Sequence, residues 1–124
     1  MKEIKKITHY NVLFDYYNSL LTDKQKEYFI MYFEKDYSLK EVADYYEITR
    51  NAVHSALTST ILKLEEFESK LKLVEKNNLR KEYYGKYQET KDEKWLEKLM
   101  EVEDNYGIWK FIKSFTNGFK TRNR

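Results

Sequence analysis

Residues 38–58 read SLKEVADYYEITRNAVHSALT, and the fold follows from how that stretch divides. Ser38, with Glu41 three residues on, is a capping-box pair: the serine oxygen takes a backbone N–H of the first helical turn, and the glutamate returns a bond to the serine N–H. Leu39, Val42, Ala43 and Tyr46 follow at helical spacing, so a short helix is predicted to end near Tyr46. Glu47 and Ile48 leave room only for a tight connection before Thr49 caps a second helix that starts at Arg50. This is the spacing of a helix-turn-helix. In that reading Leu39, Val42 and Ala43 face inward from the first helix, Ala43 being small where the two helices approach. Ile48 plugs the turn, and Val53 and Leu57 face inward from the second helix. Arg50, Asn51, His54, Ser55 and Thr58 then project from the opposite face, where a recognition helix meets base edges and phosphates.

Working outward, Ile4, Ile7, Tyr10, Leu13, Phe14, Tyr17, Leu20 and Leu21 mark a first amphipathic helix over 4–21. Thr22 and Gln25 form a second capping box, opening a helix from Asp23 to about Phe33 with Tyr28, Phe29, Tyr32 and Phe33 on its buried side. Beyond Arg50 no strong breaker occurs until Asn77-Asn78. Val53, Leu57, Thr60, Leu64, Phe67, Leu71 and Val74 alternate steps of four and three, a heptad seam with one polar position. A Tyr-rich segment from Leu79 to Gln88 is interrupted by Gly85, and Thr90 with Glu93 predicts a further capping box. A second seam follows at Trp95, Leu99, Val102, Tyr106 and Trp109, with Gly107 as a bend. The expected architecture is all-α: a helical domain over 1–76 containing the helix-turn-helix at about 38–62, and a C-terminal helical extension over 77–124 ending in a basic aromatic tail.

Composition agrees with that architecture and narrows the chemistry. The 124 residues include no Pro, three Gly and 35% charged side chains, too few turn formers for a many-stranded sandwich or barrel. No run approaches the roughly 20 apolar residues that cross a bilayer, and the Lys-rich start lacks the apolar core of a signal peptide, so the expected location is the cytoplasm. With no Cys there is no disulfide, thiolate metal site or cysteine nucleophile. His9 and His54 are the two neutral-pH proton shuttles of the usual kind. His54 has no second His or Cys at ligand spacing, and His9 beside Tyr10 reads as a core-edge histidine. Neighbouring acids such as Glu65-Glu66 and Asp92-Glu93 point about 100° apart on a helix, so neither pair converges on one substrate atom. No catalytic residue, metal or cofactor is expected.

The run over 20–71, LLTDKQKEYFIMYFEKDYSLKEVADYYEITRNAVHSALTSTILKLEEFESKL, resembles the bacterial YlxM-type family, whose helix-turn-helix is similar to the fourth region of sigma factors. The resemblance rests on Leu21, Thr22 and Gln25, on Asp36 to Leu39, on Glu41 to Ala43, and on Thr49 to Val53. It covers about two-thirds of the chain, to about Leu79. It implies an all-helical, DNA-binding-like regulator associated with the signal recognition particle pathway.

Ser38, Thr49, Arg50, Asn51, His54, Ser55 and Thr58 are therefore the candidate nucleic-acid-binding residues, with DNA the first expected partner and RNA the second. Charge tempers the expectation. Residues 21–76 carry nine basic and eleven acidic side chains, and no Lys or Arg stands between Asn51 and Leu62, whereas phosphate contacts are normally made by cations. A homodimer presenting two motifs, or the tail of 108–124 with Lys110, Lys113, Lys120, Arg122 and Arg124 among Trp109, Phe111, Phe115 and Phe119, would compensate. Twelve Tyr and seven Phe also favour an oligomer, because Tyr tolerates a half-wet interface. The alternative expectation is a protein-interaction module that keeps the bundle and binds components of the signal recognition particle.

Overall fold

The computed structural model describes residues 2–102, and these divide into two compact units between Val74 and Glu75. Every regular element among the described residues is helical, with no strand. Tyr106, Gly107, Trp109 and the basic tail lie outside the described residues.

Helix α1 spans Ile4–Tyr17 and ends earlier than its apolar pattern predicts. The Asn18 side chain donates to the carbonyls of Phe14 and Asp15, and Asn18–Leu20 tighten into a 3₁₀ turn closed by Leu21 N–H on Asn18 O at 3.0 Å. Leu20 consequently leaves the apolar face and is 52% exposed, while Leu21 is buried. Thr22 then forms the expected capping box with Gln25, opening α2 over Asp23–Phe29. Past Phe29 the helix widens into a π-helical segment, Ile30–Glu34, closed by Lys35 N–H on Ile30 O at 2.9 Å. Asp36 turns the chain in the left-handed region with φ 59°, held by a 2.8 Å ion pair from Lys2. Lys2 also donates to Tyr37 O and sits 4.2 Å from the Tyr32 ring centroid, tying the start of the chain to this loop. The ammonium beside Asp36 holds its carboxyl below the usual range.

Ser38 and Glu41 close the second capping box at 3.0 and 3.2 Å, and α3 runs Leu39–Tyr46. It ends in a Schellman turn: Ile48 N–H reaches Ala43 O and Glu47 N–H reaches Asp44 O, with Glu47 left-handed at φ 55°. These backbone bonds hold the turn in place of a buried plug. Ile48 is 37% exposed, and the space between the helices is filled by Val42, Ala43, Val53 and Leu57. Because a side chain in the left-handed region strains the backbone, Glu47→Gly is expected to raise unfolding stability by about 1 kcal/mol in denaturant titration. A loss instead would mean that the Glu47 side chain contributes more than its backbone costs.

Thr49 Oγ1 accepts from Ala52 N–H at 3.1 Å, and α4 runs Arg50–Leu71. Val53, Leu57, Thr60 and Leu64 are fully buried in the first seam, and Phe67 and Leu71 pack against the core. Thr60, the polar member, satisfies its hydroxyl by donating to Ala56 O at 2.8 Å. Helix α4 packs against α1, α2 and α3, so it forms the axis of the first unit. It does not reach Asn77-Asn78. Lys72 adopts φ 55° and α5 starts afresh at Leu73. The N–H groups freed at this break find side-chain acceptors: Leu73 N–H donates to Tyr17 Oη at 3.1 Å and Val74 N–H to Glu68 Oε1 at 3.0 Å. Tyr17 Oη in turn donates to Glu68 Oε1.

Helix α5 spans Leu73–Thr90, passing through Asn77-Asn78 and Gly85, where a single turn former costs less than the helix gains around it. The predicted capping box at Thr90 and Glu93 does not form. Thr90 Oγ1 donates to Lys86 O and accepts from Asp92 N–H, Lys91 turns left-handed, and Asp92 Oδ1 accepts from Lys94 N–H at 3.0 Å. Helix α6 follows over Lys94–Glu101, leading to buried Val102, with Trp95 and Leu99 half-buried.

Candidate nucleic-acid interface

The candidate face is built by the caps on one side and the core on the other. Val53 and Leu57 are wholly buried, which fixes the rotation of α4 about its axis. Arg50, Asn51, His54, Ser55 and Thr58, at steps of one and three, are then all exposed over its first turns. The remaining two candidates sit at helix starts with their oxygens engaged: Ser38 accepts from Glu41 N–H and Thr49 from Ala52 N–H. A hydroxyl that accepts in this way keeps its proton to donate. Arg50 is the only cation on the face, with Glu47 in the turn before it.

The other histidine stands elsewhere. His9 is exposed rather than at the core edge, with Nε2 2.7 Å from Glu65 Oε1. Glu65 is thus committed to His9, and Glu66 to Lys70 at 2.8 Å, an ammonium that lowers the Glu66 pKa. Among the described residues no group of three or more His, Cys, Asp or Glu is placed to hold a metal, and no helix is long and apolar enough to cross a membrane.

Two features escape a reading by periodicity. The first is an open groove between the end of α2 and α3, floored by Ile30 and Met31 and walled by Tyr37, Tyr45 and Tyr46, with Lys24 and Lys35 at its edge. Tyr45 is 71% exposed. Tyr46 meets Tyr28 edge-on at 4.8 Å, donates to Glu27 Oε2 at 2.9 Å and lies under Lys24 at 4.4 Å. Burial first, then the hydrogen bond to the Glu27 carboxylate, pushes the Tyr46 hydroxyl up to about 12. Its contribution to stability is therefore present below the ordinary tyrosine value near 10 and is lost as pH rises through about 12. An ultraviolet titration is expected to include a phenol ionising at about 12, and Glu27→Gln to bring that step earlier. An unchanged curve would remove Glu27 from the cause. The second feature, a lysine cluster around Trp95, joins α5 to α6 and is visible in sequence only as the neighbours Lys94 and Lys98.

Two helices joined by a capped turn, the second anchored by its inner face and bare on its outer one, define a helix-turn-helix protein. The family described as "Putative helix-turn-helix protein, YlxM / p13 like" matches residues 4–103, and the chain belongs to it. It is similar to UPF0122 protein YlxM of Bacillus subtilis, 42% identical over 103 residues, which covers 80% of this chain and 94% of that protein. A UPF0122 protein of Malacoplasma penetrans is 39% identical over 110 residues, 89% of this chain and 98% of that one. One of Lactococcus lactis is 40% identical over 105 residues, 82% and 93% respectively. The family is one of helix-turn-helix proteins and not an enzyme family.

Proposed function

We propose that this protein is a nucleic-acid-binding regulator that reads DNA through the exposed face of α4. The observation that carries the reading is the five-residue outer face, Arg50, Asn51, His54, Ser55 and Thr58, exposed at the start of a helix whose inner face is wholly buried. Asn51 suits adenine, Arg50 suits guanine or phosphate, and the capped N-terminus of α4 offers backbone N–H groups to a phosphate. Ser38 and Thr49 add hydroxyl donors at the two helix starts. With one cation on this face, phosphate affinity is low for a single motif, which makes a homodimer with two motifs the favoured binding form. A role in the signal recognition particle pathway is part of the same proposal, and a structured RNA is the second target class.

The test is a mobility-shift series over salt. Arg50→Ala with Asn51→Ala is expected to weaken duplex binding by about tenfold or more, from about 1–3 kcal/mol per lost contact, with the helical circular-dichroism signal unchanged. Equal affinity of the double variant and the parent would overturn the reading. A second reading, a protein-interaction module for components of the signal recognition particle, is favoured by the groove with its exposed Tyr45 and Tyr37. A complex with the particle that survives nuclease treatment and is lost in Tyr45→Ala would support it.

A further inference from the structure

In the second unit, three ammonium groups converge on one ring. Lys86 on α5 lies 4.7 Å from the Trp95 ring centroid, and Lys94 and Lys98 on α6 each lie 5.2 Å from it. No two of these Nζ atoms can therefore be more than about 10 Å apart. Tyr83 holds the indole in place, stacked at 6.1 Å and 25°. A ring quadrupole attracts cations without neutralising them, so the cluster keeps its positive charge. Glu82, 3.5 Å from Lys86, and Asp92, 3.7 Å from Lys94, form exposed pairs that a stronger anion displaces readily. Lys98 has no carboxylate partner among the described residues. The site is thus a preassembled group of three cations, two of them held only in exposed pairs.

We propose that Lys86, Lys94 and Lys98, gathered on Trp95, form a second nucleic-acid contact that grips the sugar-phosphate backbone without reading sequence. The proposal rests on the nucleic-acid reading above and extends it: the groove-facing helix supplies discrimination and one cation, and this cluster supplies the missing phosphate contacts. The occupant is an extended polyanion, because lysines on two different helices, up to about 10 Å apart, can meet successive phosphates of one backbone.

The experiment uses the 124-residue chain. Trp109→Phe leaves Trp95 as the single tryptophan, and its emission is followed while a mixed-sequence DNA duplex, its separated strands or a hairpin RNA is added. The emission is expected to change on binding. Replacing Lys86, Lys94 and Lys98 together by Gln is expected to reduce the slope of log affinity against log salt by about two to three, with sequence preference unchanged. Lys98→Gln alone is expected to reduce it by about one, which guards against a folding defect in the triple variant. Binding with unchanged Trp95 emission, or with the parental salt slope in the triple variant, would overturn this site and leave the α4 reading intact. If Arg50→Ala with Asn51→Ala has no effect while the Trp95 response persists, the α4 reading fails and this site stands. No binding of any of the three nucleic acids overturns both.

Discussion

Phe29→Ala is expected to cost about 3–5 kcal/mol of unfolding free energy, a large part of what a small domain possesses. Phe29 is fully buried at the end of α2, stacked face to face on Phe14 at 4.3 Å and 2° and against Phe33 at 4.7 Å. Its removal loses the transfer free energy of an aromatic side chain and opens a cavity among α1, α2 and α4, whose rings are too rigid to collapse fully into it. Thermal unfolding is the check, and a fall of about 4–8 °C is expected for each kcal/mol lost. Leu62→Ala is the control: Leu62 is 64% exposed on α4, and its truncation is expected to fall within about 0.5 kcal/mol of zero. If the two variants lose comparable stability, the assignment of the core to the α1–α2–α4 junction is wrong.

Tyr17→Phe is expected to cost about 1–3 kcal/mol through a single oxygen atom. Tyr17 is 1% exposed, so its hydroxyl works out of reach of water. The hydroxyl accepts from Leu73 N–H and donates to the Glu68 carboxylate, which also accepts from Val74 N–H. Phenylalanine keeps the ring and its 5.9 Å contact with Phe67, but it takes the acceptor from Leu73 N–H and removes one donor to Glu68 Oε1. Denaturant titration measures the loss. Hydrogen exchange locates it, with faster exchange expected at Leu73 and Val74. Parental exchange at both amides would show that the break at Lys72 is held by something else.

That clasp also shows where sequence reading stops. Two of the three expected capping boxes and the Thr49 cap form where residue types alone place them, because each is closed by hydrogen bonds within four residues. The exposed positions of Arg50 to Thr58 follow in the same way, since burial of Val53 and Leu57 fixes the opposite face. The end of α4 does not follow. Lys72 is an ordinary helix former, and it turns left-handed where Tyr17, more than fifty residues away in sequence, offers an acceptor to Leu73 N–H. Asn77-Asn78 and Gly85 mislead in the opposite direction, being weak breakers that a continuous helix overrides. Thr90 and Glu93 match a capping box in residue type, yet Thr90 still belongs to α5, where its hydroxyl bonds Lys86 O and Asp92 N–H, and α6 starts only at Lys94. Ile48 looks like a plug by hydrophobicity and is exposed because the Schellman turn closes on backbone atoms. The Tyr37–Tyr45–Tyr46 groove and the Trp95 cluster each need two elements brought together, which no local pattern reports.

Fold and charge give this helix-turn-helix different capacities. The caps, the turn and the buried inner face of α4 hold its outer face rigidly, as direct readout requires. The net charge of −2 over residues 21–76 removes the general attraction that most DNA readers use to reach their sites. Binding through this motif alone is accordingly expected to be selective, only weakly salt-dependent and dependent on contacts outside α4. The most direct measurement is a backbone amide chemical-shift titration of the isotopically labelled chain with duplex DNA at low salt. The largest shifts are predicted at Arg50, Asn51, His54, Ser55 and Thr58, with the buried positions of α1 little changed. Saturable binding that leaves those five amides unmoved would contradict the assignment of α4 as the reading helix.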